Sequence, residues 1–152
     1  MLRRMILLVS LMFWQGGFMF YGGVVVPVGT KILGSESEQG FITQAVTNYL
    51  NGAGAVCLIL WLEHLWNERR SRLFPLEWYV WGFATLSLLV LAGTHLRMDR
   101  LLNVESRRVL DHAAFARYHR FYIWTSSLQW VASLFMLFLT LARWSKDRSV
   151  QP

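Results

Sequence analysis

The chain has 152 residues, of which 55% are hydrophobic and 16% are charged. Soluble domains carry about 25% charged residues, so this composition argues against a soluble globular protein. A net charge of +6 would suggest nucleic-acid binding in a soluble protein. Here the basic residues flank uncharged segments, where they orient membrane spans and contact lipid headgroups. We therefore expect the lipid bilayer, and no nucleic acid, as the partner.

The chain contains four stretches without a charged side chain. They cover residues 5–30, 41–62, 78–94 and 121–142. A helix rises about 1.5 Å per residue, so roughly 20 apolar residues cross the hydrocarbon layer. The third stretch has 17 residues, and Glu77 and His95 can lie at the interface on either side of it. The pattern predicts one all-α domain over residues 1–152, an integral membrane four-helix bundle.

The first stretch begins like a signal peptide, with Arg3 and Arg4 before an apolar run. No small-x-small cleavage motif follows, and the apolar run continues to Val28. We interpret it as an uncleaved anchor. Pro27 should bend its end, because proline removes a backbone donor.

The connection between the third and fourth stretches is long and basic. Apolar residues recur there near one helical face: Met98, Leu102, Val109, Ala113 and Ala116. This spacing predicts an amphipathic segment between helices three and four, a helix lying on the membrane surface.

Orientation depends on the distribution of Lys and Arg. Arg3 and Arg4 precede the first span and Lys31 follows it, which favours a cytoplasmic N-terminus. Four spans then place both termini in the cytoplasm of a cell with an inner membrane. The whole chain shows little bias, with eight basic residues on the inside and seven on the outside.

Several short motifs resemble the transmembrane-protein-205-like domain family, a set of small four-helix membrane proteins. The first helix carries Trp14-Gln15-Gly16-Gly17-Phe18 and then Tyr21-Gly22-Gly23-Val24-Val25-Val26-Pro27-Val28. Gln39-Gly40-Phe41-Ile42-Thr43 resembles the start of the family's second helix, and Phe115-Ala116-Arg117-Tyr118-His119-Arg120 the start of its last. Tyr122 and Ser126 stand where the family tends to have Ser and Asn. The resemblance implies the four-helix architecture and no established activity.

Five amides lie within the predicted spans: Gln44 and the four that we take as candidates for polar packing, Gln15, Asn48, Asn51 and Gln129. Polar groups in lipid are costly, and they are commonly satisfied by hydrogen bonds between helices. We expect these amides to join helices; an alternative is that they line a path for a small solute or ion. Glycines that would allow close helix approach are Gly16, Gly17, Gly22, Gly23, Gly52 and Gly54.

The histidines offer the sharpest chemical hypothesis. His95 ends the third span and His119 precedes the fourth, so both belong to one membrane surface, together with Asp99 and His112. Two or three imidazoles and a carboxylate could hold a divalent metal, and the pair His95 and His119 could ligate haem. The simpler interpretation is interfacial side chains in weak surface ion pairs.

No Ser-His-Asp set, phosphate-binding glycine loop or cysteine pair is present. The sequence therefore favours a non-enzymatic protein with a structural or interaction role, without a cofactor and in contact with lipid and other membrane subunits. The alternatives are a haem- or metal-binding subunit and a permeation protein.

Overall fold

The chain forms a bundle of long helices in a computed structural model that describes residues 2–67, 74–103 and 108–149. Its elements are α1 (Leu2–Phe20), a π-helical turn (Tyr21–Val25), α2 (Val26–Leu33), α3 (Glu36–Asn67), α4 (Phe74–Asp99), β1 (Leu102–Asn103), β2 (Arg108–Val109) and α5 (His112–Ser149). Four helical segments are long and apolar enough to cross a membrane: Leu2–Leu33, Glu38–Asn67, Pro75–Asp99 and His112–Ser145. The predicted all-α membrane bundle of four helices is confirmed.

The first span changes helical geometry near its end. The Val26 N–H donates to the Tyr21 carbonyl, five residues back, which closes the wide turn. Pro27 follows within the first positions of α2. A proline inside a helix has no N–H and its ring presses on the carbonyl four residues earlier. The wide turn absorbs both effects, so the span continues to Leu33.

Local capping sets two of the helix boundaries. Gly34 ends α2 in the left-handed conformation, with φ of 65°, and its N–H donates to the Thr30 carbonyl at 2.9 Å. Such a conformation favours glycine. At the start of α5, the Ala114 N–H donates to Asp111 Oδ1 at 2.9 Å, an N-cap that satisfies one of the free donors of the first turn.

The segment between α4 and α5 differs from the predicted surface helix. Met98 belongs to the last turn of α4, Leu102 pairs with Val109 in an antiparallel hairpin, and Ala113 lies in the first turn of α5. The Leu110 N–H also donates to the Leu101 carbonyl at 2.8 Å. The apolar periodicity therefore spans three separate elements. The expectation failed because the Asp111 cap starts a new helix inside the predicted one.

The bundle core is a column of large side chains. It contains Leu7, Leu11 and Trp14 of α1, Cys57, Leu58, Trp61 and Leu65 of α3, Ala84 and Leu88 of α4, and Met136 and Trp144 of α5. Outward faces are also apolar, as shown by Phe13, Ile59 and Phe138, each more than 60% exposed. A surface of this kind suits lipid rather than water.

Four of the six glycines expected to allow close helix approach have no close neighbour within the chain. A Cβ added at Gly16, Gly22, Gly23 or Gly52 would meet nothing within 4 Å. At Gly17 it would touch a Leu50 methyl group at 3.4 Å, an ordinary contact. At Gly54, by contrast, it would lie 2.6 Å from the buried Trp14 ring. Gly54 is thus the glycine that lets α1 approach α3, because the rigid indole occupies the space of a side chain.

Candidate functional site

Three polar side chains from three helices meet inside one end of the bundle. Arg143 of α5 donates from Nη1 to Glu77 Oε2 of α4 at 2.5 Å, and its Nη2 lies 2.7 Å from His64 Nε2 of α3. His64 and Glu77 are 0% exposed, and Arg143 is 4% exposed. We call these three residues the charged cluster.

The hydrogen-bonding capacity of arginine determines the roles within this cluster. A guanidinium group has donors and no acceptor. His64 Nε2 must therefore accept the bond from Arg143, which leaves the imidazole proton on Nδ1. The short contact with Glu77 is the charge-assisted type, which is roughly twice as strong as a neutral hydrogen bond. The cation is thus held between a carboxylate and a neutral ring.

Aromatic and basic side chains extend the charged cluster to the first helix. Trp144 packs edge-on against His64, with ring centroids 5.7 Å apart. The Arg4 guanidinium lies over the Trp144 ring at 4.9 Å from its centroid, within the range of a cation–π interaction. Arg3 reaches α3, donating from Nη2 to the Glu63 carbonyl at 2.8 Å. All four spans are therefore joined at this end.

The sequence alone did not reveal the charged cluster. Glu77 was expected at the interface and Arg143 directly follows the fourth uncharged stretch, yet both side chains are buried between helices. The sequence did indicate that these residues could meet. In a bundle whose helices alternate in direction, the end of the second span, the start of the third and the end of the fourth lie at the same end of the bundle. Helix rotation, which sequence does not specify, decides whether such residues point inward.

Three of the four predicted amides make bonds between helices. Gln15 donates to Ser133 Oγ at 3.0 Å, and Gln129 donates to the Ala84 carbonyl at 3.0 Å. Asn51 accepts from the Tyr122 hydroxyl at 3.2 Å. Each bond crosses from one span to another, so these groups act as interior connections of the bundle.

Asn48 behaves differently from the other three amides. It is exposed on α3, and the same face presents Ala45, Gly52 and Val56, which are also exposed. We call these four residues the α3 outer face. Since one of the four amides points away from the bundle, the four do not together line a path through it.

The predicted histidine site is only partly assembled. His95 is 3% exposed and its Nε2 lies 3.6 Å from Asp99 Oδ2. His119 stacks on Phe115 and is exposed, as is His112 at the start of α5. Across the described residues, no group of three or more His, Cys, Asp or Glu side chains is arranged to hold a metal ion. Buried His95 thus lies beside a partly exposed Asp99, and the two exposed histidines are not part of this pair.

Together these features define the class of the protein: a multi-pass helical membrane protein with polar side chains that join its helices from within. Comparison with known proteins does not narrow this class. No family model matches the chain, and neither a curated protein nor a solved structure matches it.

Proposed function

We propose that this protein is a non-enzymatic membrane subunit that associates laterally with another transmembrane helix through the α3 outer face. The observation that carries the proposal is the outward position of Asn48. It lies seven residues beyond Phe41, the start of the uncharged stretch, which corresponds to about 10 Å of helix. An amide at such a depth gains from a hydrogen-bonding partner, since lipid tails offer none.

The neighbours of Asn48 favour a helix as that partner. Ala45 and Gly52 are three residues before and four residues after it, on the same face of α3. The surface over Gly52 is open, since a Cβ there would meet nothing within 4 Å. Small residues around a polar one allow two backbones to approach closely and bring amides within bonding distance.

A structural role is the other part of the proposal. The buried amides and the charged cluster have partners inside the chain, and they connect all four spans. Such a bundle is suited to serve as a fixed element of an assembly. The motif resemblance to the transmembrane-protein-205-like domain family concerns the four-helix architecture, and membership in that family is part of the proposal.

Photo-crosslinking in native membranes tests the association. A photoreactive residue replaces Val56 on the α3 outer face, and a control places it at Leu89, an exposed position of α4. We expect a protein adduct from position 56 that is lost in Asn48→Leu, and lipid adducts from position 89. A mass matching two copies would identify a homodimer and any other mass a different subunit. Lipid adducts alone at position 56 would contradict the proposal.

Orientation is a further element of the proposal. Arg3 and Arg4 before the first span support cytoplasmic termini in an inner membrane. A C-terminal fusion to green fluorescent protein should fluoresce, whereas a fusion to alkaline phosphatase should be inactive. The reverse pattern would place the termini outside.

A further inference from the structure

A cleft opens between α4 and α5 at the end of the bundle opposite the charged cluster. It has a volume of about 640 Å³ and is lined by Val90, Gly93, Thr94, Arg97, Arg117, Tyr118 and Phe121. The first four residues follow one face of α4, with spacings of three, four and seven. The other three belong to the early turns of α5.

Two arginines line the cleft at its membrane-interface end. Arg97 is in the last turn of α4 and Arg117 is in the second turn of α5. Both are exposed, and neither makes a hydrogen bond or an ion pair with any residue that the structure describes. Among the described residues of this region, the two acids have other contacts: Asp99 lies beside His95, and Asp111 caps α5. The two guanidinium groups therefore offer donors to an anion.

The remaining wall of the cleft is apolar and lies deeper in the span. Val90 is seven residues before Arg97, about two helical turns or roughly 10 Å toward the membrane centre. Phe121 follows Arg117 by one turn in the same direction. Gly93 leaves the space between them open, because a Cβ there would meet nothing within 4 Å. The cleft thus grades from cationic at the interface to apolar in the hydrocarbon.

We propose that this cleft binds one anionic phospholipid, with its phosphate held by Arg97 and Arg117 and an acyl chain lying along Val90, Gly93 and Phe121. Arginine suits a phosphate because its planar group donates two parallel hydrogen bonds. Tyr118, which follows Arg117 in the chain and also lines the cleft, would supply a further polar group for the headgroup. The site is separate from the α3 outer face and does not depend on the proposed association.

Native mass spectrometry of the purified protein tests this site. Phosphatidylglycerol and phosphatidylcholine are titrated into the detergent-solubilised chain. We expect one tightly retained phosphatidylglycerol, and at least about tenfold weaker binding in Arg97→Gln/Arg117→Gln, which removes two charge-assisted contacts. The matched control is Arg100→Gln/Arg120→Gln, which removes two exposed arginines of the same region that do not line the cleft.

A second variant tests the apolar part without altering charge. Gly93→Leu fills the open space, so phosphatidylglycerol binding should weaken even if the double arginine variant fails to fold. Equal loss in the control variant, or equal affinity for phosphatidylcholine, would overturn the proposal. Competition by inorganic phosphate or glycerol phosphate at comparable concentration would also overturn it, since the ligand would then be a soluble phosphate.

Discussion

Arg143 and Glu77 are 66 residues apart in the chain and form a 2.5 Å ion pair in the interior of the bundle. Removing two charges from water costs several kcal/mol each, and only close geometry with further hydrogen bonds offsets that cost. His64 provides one such bond, to the second terminal nitrogen of Arg143. The pair joins α4 to α5, and the imidazole adds α3. This end of the bundle is therefore held by polar contacts as well as by apolar packing.

Removing one member of this pair should destabilise the protein strongly. Arg143→Leu leaves Glu77 buried without its cation, and we expect a loss of about 3 to 5 kcal/mol in unfolding free energy. Denaturation of the purified protein in mixed micelles, followed by circular dichroism, measures it. The double variant Glu77→Leu/Arg143→Leu should recover most of the loss, because no uncompensated charge remains. Lys31→Leu, at an exposed position, is the control, and a double variant as unstable as Arg143→Leu would contradict this account.

Gly54 and Gly52 should respond in opposite ways to the same substitution. Gly54→Leu places a side chain against the buried Trp14 ring, and overpacking of this kind costs at least about 1 to 3 kcal/mol. Gly52→Leu enters open space and should leave monomer stability unchanged, while lowering crosslinking at the α3 outer face. Gly16→Leu, also in open space on α1, is the control for crosslinking. Equal thermal stability of the Gly52 and Gly54 variants would show that α1 and α3 do not pack as described.

The interior amides should contribute modestly. Gln129→Leu removes the bond to the Ala84 carbonyl, and Gln15→Leu removes the bond to Ser133. Interhelical hydrogen bonds in membranes are worth roughly 0.6 to 2 kcal/mol. Each change should lower the free energy of unfolding within that range, because leucine is well tolerated in hydrocarbon. In addition, the Ser133 hydroxyl still donates to the main-chain carbonyl of residue 129. A loss as large as that of Arg143→Leu would indicate a role beyond helix connection.

The pair of His95 and Asp99 gives a prediction about cofactors. Because His119 is exposed and stacks on Phe115, we expect purified protein to show no Soret absorption and no stoichiometric metal. Asp99→Asn should reduce stability by less than about 1 kcal/mol, since an ion pair with a partly exposed carboxylate is weak. A Soret band that disappears in His95→Ala would support the haem alternative instead.

The predicted surface helix shows where sequence periodicity misleads. Met98, Leu102 and Ala113 follow a helical spacing, yet they belong to α4, β1 and α5. Periodicity compares residues along one continuous axis and assumes that the axis does not change direction. Asp111 carried the contrary information, because aspartate before an apolar run is typical of an N-cap.

For a related reason, the sequence did not distinguish which of the predicted packing glycines make close contacts within the chain. Gly16, Gly22 and Gly23 were expected to face other helices, but a glycine stripe identifies a face without identifying what covers it. Gly54 meets Trp14 because the rotations of α1 and α3 bring them together. The sequence also could not predict in which direction the Asn48 side chain points, since an amide inside a span can point toward a neighbouring helix or toward lipid.

The amino-acid sequence determined that this chain has four membrane spans, because the transfer of an uncharged segment from water to lipid depends on that segment alone. It also determined the caps at Gly34 and Asp111, which depend on a few adjacent residues. Tertiary structure decided which polar groups meet. His64, Glu77 and Arg143 form one buried cluster only because three helices are rotated toward a common axis, and that rotation is set by the packing of the whole bundle.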